Sequence, residues 1–81
     1  MKSTEINKSL IGKKVSCMNL GKTVTGVITE IYEDVEHIGV RIKHEPIQWG
    51  VDTFTTLLSC ACKGTELMIA TEGNLKHTKL I

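Results

Sequence analysis

Within residues 12–44, GKKVSCMNLGKTVTGVITEIYEDVEHIGVRIKH, three runs rich in β-branched side chains are separated by two short polar turns. The turn candidates, Asn19-Leu20-Gly21-Lys22 and Glu33-Asp34-Val35-Glu36, are too short for a crossover, so consecutive runs must pair as antiparallel neighbours. A chain that commits this much of its length to a meander folds as a β domain.

The alternation inside each run says which side is buried. In the first, about Lys13 to Met18, Val15 and Cys17 share the inward face. In the third, His37 to His44, the residues Ile38, Val40, Ile42 and His44 oppose Gly39, Arg41 and Lys43. The second run, about Thr23 to Glu33, places Val24, Ile28 and Tyr32 on one parity and Val27 and Ile31 on the other. A flat half-buried strand does not carry apolar residues on both sides, so a sharp bend is expected, with Gly26 as its site.

Eighty-one residues make one domain, 1–81, without repeats or low-complexity tracts. A chain of this size buries only about 60–65% of the surface its unfolded form exposes, so its core is thin. Phe54, Tyr32 and Trp49 are the only aromatic residues, which leaves the packing to Val, Ile, Leu and Met.

At the N-terminus, Ser3 or Thr4 is placed to cap a short helical turn over Glu5 to Leu10, with Gly12 ending it. Glu45-Pro46-Ile47-Gln48-Trp49-Gly50 reads as a loop, since proline lacks a ladder donor. Val51 to Leu58 fits a threonine-rich strand, and Phe54, Leu57, Leu58 and Ala61 also fit a helical spacing behind Asp52. Thr65 to Thr71 reads as a further extended segment, Gly73-Asn74 as a turn and Leu75 to Ile81 as a closing strand. The expected fold is mostly β: a small barrel or strongly bent antiparallel sheet of about five strands, with a short N-terminal helical turn.

The series Leu10-Ile11-Gly12-Lys13-Lys14-Val15, Gly21-Lys22 and Thr25-Gly26-Val27-Ile28 resembles the opening of small Src-homology-3-like barrels, including the Sm-like and KOW-like modules. In those folds a short lead enters a bent meander with glycine at the bend of the second strand. The resemblance covers about the first half of the chain and implies a small, strongly bent barrel. Sm-like proteins read bases with an asparagine-bearing loop after the second strand. Glu33-Asp34-Val35-Glu36 carries no asparagine and departs from that pattern.

Ten Lys and Arg against nine Asp and Glu give a net charge of +1, which supplies little of the long-range attraction of a non-specific nucleic-acid binder. Three cysteines cannot all pair within one chain, and residues 1–7 contain no apolar block of signal-peptide length. Both observations point to a reducing, cytoplasmic setting without membrane insertion.

Cys17, Cys60, Cys62, His37, His44 and His77 supply zinc-type donors, but Cys60-Ala61-Cys62 lacks the two-residue gap that wraps thiolates around an ion. They read instead as small apolar side chains, and no metal or cofactor is expected. No nucleophile has a base and an orienting group arranged beside it in sequence, so no enzymatic activity is expected. Trp49, after Pro46 and downstream of Arg41, Lys43 and His44, is the best candidate contact residue, since indole offers a large rigid surface with one donor. The competing reading folds Trp49 back over one end of the barrel.

The expected function is a non-catalytic adaptor that engages another protein through Arg41, Lys43, His44 and Trp49. The alternative is a nucleic-acid-binding barrel using Lys13, Lys14, Lys22, Arg41 and Lys43, with an enzyme or zinc-dependent module third. An open strand edge also permits pairing with a second copy of the chain.

Overall fold

The computed structural model describes residues 1–63 and 75–81. Five strands form one antiparallel sheet: β1 (Lys14–Asn19), β2 (Lys22–Glu33), β3 (His37–Trp49), β4 (Asp52–Cys62) and β5 (Lys79–Leu80). Their order is β4-β3-β2-β1-β5, a meander whose last strand returns to the free side of β1. Among the described residues no hydrogen-bonded ladder joins β4 to β5, so these five strands form an open, bent sheet and not a closed barrel.

Local chemistry sets each reversal. Asn19 pairs with Lys22 around Leu20 and Gly21, which hold φ of 52° and 74°. Two positive φ values make a tight turn matched to the twist of the flanking strands. Leucine is a costly choice there, and it is held by packing of Leu20 against the core. Trp49 pairs with Asp52 around Gly50 and Val51, with glycine at the position of φ 62°. Between β2 and β3, the Asp34 carboxylate accepts from the backbone N–H of Glu36 (2.9 Å) and of His37 (2.7 Å), fixing the turn from inside.

The two-sided apolar pattern of β2 is explained by a bulge at Thr29. Ile28 pairs with Ile42 and Glu30 with Arg41, so one residue of β2 is extra. Core-facing positions switch there from Val24 and Ile28 to Ile31, which pairs with the buried Val40. The Thr29 hydroxyl donates to the Arg41 carbonyl at 3.2 Å. The register therefore breaks at Thr29, not at Gly26 as the glycine suggested. Gly26 answers a different need: a Cβ there would lie 2.6 Å from Ile42 Cγ2 and 2.7 Å from the Lys43 carbonyl oxygen.

Pro46 does not end β3. The strand runs on to Trp49 through a second irregularity, with Lys43 opposite Thr56 and Ile47 opposite Phe54. Pairing with β2 stops at His44, and Glu45 Oε1 takes the Thr25 N–H at 3.1 Å in place of a backbone carbonyl. Beyond that point, among the described residues, β3 has only β4 paired with it, so a proline without N–H leaves no ladder partner on the β2 side unsatisfied.

Val15, Cys17, Val24, Ile28, Val40, Ile42, Ile47 and Ala61 form the core, joined by Ile6 and Leu10 from the N-terminal segment and Leu75 from the C-terminal one. The expected N-terminal turn is two short 3-10 turns, Ser3–Glu5 and Lys8–Leu10, the second capped by Asn7 and followed by Gly12 at φ 90°. Only Lys79–Leu80 of the expected closing strand pairs, and Leu75–His77 is a 3-10 turn. The Met1 amino group donates to the carbonyls of Leu75 (3.0 Å) and Thr78 (2.6 Å), tying the two terminal segments together. The segments expected at 65–71 and 73–74 lie outside the described residues.

Candidate functional site

The β3–β4 hairpin is longer than the rest of the sheet and carries the largest exposed apolar side chains. Ile47 and Phe54 are register partners, and Trp49 lies on the same strand parity as Ile47 with Asp52 opposite. Ile47 is buried and anchors the hairpin in the core. Phe54 is 37% exposed, Trp49 57% and Val51, in the turn, 96%. Diagonal neighbours across an antiparallel pair lie within reach of an aromatic ring, so Trp49 and Phe54 belong to one apolar strip that runs outward from Ile47. The opposite side of the hairpin is polar: Gln48 Oε1 accepts from the Thr53 hydroxyl at 2.9 Å, and Gln48 Nε2 donates to the Gly50 carbonyl at 3.1 Å.

Three of the cations named from sequence share one sheet face. Lys14, Val27 and Lys43 occupy one row across β1, β2 and β3, with Arg41 two residues along β3 from Lys43. Two strand spacings separate the Lys14 and Lys43 backbones, about 9.5 Å. Val27 is exposed between them. Arg41 Nε lies 3.5 Å from Glu30 Oε2, a solvent-exposed pair that leaves the arginine accessible. Lys22 lies at the far end of the first hairpin on the opposite parity, and Lys13 precedes β1.

His44 does not join Arg41 and Lys43. It is 4% exposed and faces the core side. Its Nδ1 is 2.7 Å from the Glu45 carbonyl, which can only accept, so Nδ1 carries the proton. Nε2 then accepts from Asn19 Nδ2 at 3.0 Å. The imidazole thus links the end of β1 to the point where β3 leaves β2, and it is removed from the binding surface for which it was named. Trp49 is also set apart from the lysines: it stands six positions along β3 from Lys43, at most about 20 Å of strand, beyond the irregularity between Lys43 and Ile47. The four residues grouped from sequence therefore divide among a basic face, a buried link and an apolar tip.

The zinc-type donors are dispersed. Cys17 is buried in the core, and burial pushes its thiol up from the ordinary range. Cys60 is buried on β4, and Cys62 stands opposite His37. Among the described residues no three His, Cys, Asp or Glu side chains converge as metal ligands. His37 turns to Asp34, with Nδ1 3.1 Å from Oδ1. Asp34 also takes the Tyr32 hydroxyl at 2.7 Å, and that bond, with the backbone N–H of Glu36, holds its carboxyl well below the usual range. The sequence reading assigned residues 33–36 only to a turn. The spacing Asp34-Val35-Glu36-His37, which lets one carboxylate receive two N–H groups ahead of it, was the available signal.

No helix among the described residues is long and apolar enough to cross a membrane. No curated protein and no solved structure gives a significant match to the chain. A family model described as a domain of unknown function, DUF7258, matches residues 1–80 and so covers the sheet with its three hairpins and the terminal turns: the chain belongs to that family.

Proposed function

We propose that the protein is a non-catalytic binding module that engages another protein through the tip of the β3–β4 hairpin, with Trp49 as the anchor. The observation that carries this reading is the exposure of Trp49 beside Phe54 on a hairpin that outruns β2. An indole kept out of a thin core forgoes burial worth about 1.5–3 kcal/mol for a large apolar side chain, and a partner's surface recovers it. Arg41, Lys43 and Lys14 then act as a separate polar surface that biases the approach of acidic partners.

The row Lys14–Val27–Lys43 favours a second reading, in which this face tracks a nucleic-acid backbone. Affinity capture with wild type, Trp49→Ala and the Lys14→Glu/Lys43→Glu double variant separates the two. Loss of a captured protein with Trp49→Ala alone supports the hairpin reading. Recovery of the same proteins by all three overturns it. An RNA mobility shift at low salt that the double variant abolishes and Trp49→Ala retains assigns the function to the lysine face instead.

A further inference from the structure

The two edges of the sheet are treated differently by the sequence. At one, β5 is two residues long and includes Lys79, with Lys76 just before it. Short length and lysine are the ordinary means of preventing edge-to-edge association. At the other, β4 runs for eleven residues, and Thr53 to Cys62 contains no charged residue and no proline. β3 lies on one side of it, and among the described residues no strand lies on the other. The Ser3–Glu5 and Leu75–His77 turns contact β4, and Ser59 meets Thr78 there; among the described residues, Thr53 to Leu58 is the accessible stretch of this edge, with Thr53, Phe54 and Thr56 exposed and Thr55, Leu57 and Leu58 half-buried.

We propose that this stretch pairs antiparallel with the β4 strand of a second copy, joining two sheets into one across a two-fold axis at Thr56. A two-fold axis perpendicular to the sheet keeps each face on its own side, so residues of equal parity meet. Thr56 then lies opposite Thr56 of the second copy, and Phe54 opposite Leu58, twice by symmetry. Phe54 is the exposed member of that pair and Leu58 is half-buried, so the contact covers apolar surface that the single chain leaves in water. Charge favours a second copy as the occupant: the uncharged run meets itself without like-charge repulsion, and a net charge of +1 adds little repulsion at long range. Phe54 belongs both to this contact and to the apolar strip beside Trp49, whereas Trp49 itself, on β3 at the hairpin tip, is no part of it; a change at Thr56, which leaves both aromatic residues in place, separates dimer formation from capture of a partner protein.

Sedimentation equilibrium of the full chain from about 10 μM to about 1 mM tests the proposal, alongside Thr56→Lys and Thr56→Val. Thr56 is exposed, so Thr56→Val is expected to keep the wild-type melting transition in dilute solution, while Thr56→Lys, which stands opposite the exposed Lys43 of β3, is expected to lower it only slightly. Two lysines facing each other on the axis should weaken association by about tenfold or more, while Thr56→Val should preserve it. Amide exchange of Thr53 to Leu58 should slow as wild-type concentration rises. A wild-type mass that stays monomeric over the whole range overturns the proposal. So does a dimer that Thr56→Lys leaves intact.

Discussion

The hydroxyls of Ser59 and Thr78 lie 3.0 Å apart, both fully buried, across the gap that β4 and β5 leave open in the sheet. No backbone ladder joins these two strands, so this side-chain bond, with the terminal turns around it, takes over part of the work that barrel closure would do. Ser59→Ala removes one partner of a buried hydroxyl, and a loss of about 1–2 kcal/mol is expected. Thr78→Val should cost a similar amount. The double variant should cost less than the sum, with a coupling of about 1 kcal/mol in urea denaturation. Additive losses would show that the two hydroxyls act independently.

Glycine at position 39 is demanded by the neighbouring strand and not by a turn. A Cβ there would sit on the Ser59 carbonyl oxygen and the Cys60 Cβ, and 2.6 Å from Cys60 Cα. These are backbone and near-backbone atoms that cannot move without separating β3 from β4. Gly39→Ala is therefore expected to cost about 3 kcal/mol or more, which a domain of this size tolerates poorly. At Gly12, where nothing lies within 4 Å and φ is 90°, alanine meets only backbone strain, about 1 kcal/mol. Chemical denaturation of the two variants should reproduce that order.

The alternation of strands one and three was readable because each buries one parity: Val15 and Cys17, and Val40 and Ile42, are all fully buried. The same pattern already placed His44 with Ile38, Val40 and Ile42, and assigning it to the surface set that alternation aside. The bulge at Thr29 left no such trace. A bulge needs no glycine, and the doubled pattern of β2 announced a break without locating it. The choice of strand for Asp52–Cys62 was likewise settled by tertiary pairing with β3, since its local sequence fits both periods. In the candidate site, Trp49 was found by its chemistry, whereas its separation from Arg41 and Lys43 arises from the extension of β3 through Pro46.

Asp34 should make the β2–β3 turn sensitive to acid. Its carboxyl is held below the ordinary range first by the Tyr32 hydroxyl and then by the Glu36 N–H. A depressed carboxyl stabilises the fold fully above the unfolded value of about 3.9 and loses that contribution as pH falls toward the folded value. Asp34→Asn should lower the melting temperature at pH 7. The difference from wild type should narrow as pH is lowered below about 4, because only wild type has this contribution to lose. A difference that stays constant down to pH 2 would assign the effect to turn geometry and not to the charge.

The tryptophan itself reports on the proposed contact. Trp49 is the only indole in the chain, so emission has a single origin. With 57% of its surface exposed, the free protein should emit at the red end of the tryptophan range and be quenched readily by iodide. Trp49→Ala should leave stability within about 0.5 kcal/mol of wild type, as expected for an exposed side chain away from the core. Phe54→Ala, which takes away the partner of the buried Ile47, should cost more, about 1 kcal/mol. Blue-shifted emission resistant to iodide, together with a large loss of stability in Trp49→Ala, would mean that the indole closes the end of the sheet, and the anchor reading would fall with it.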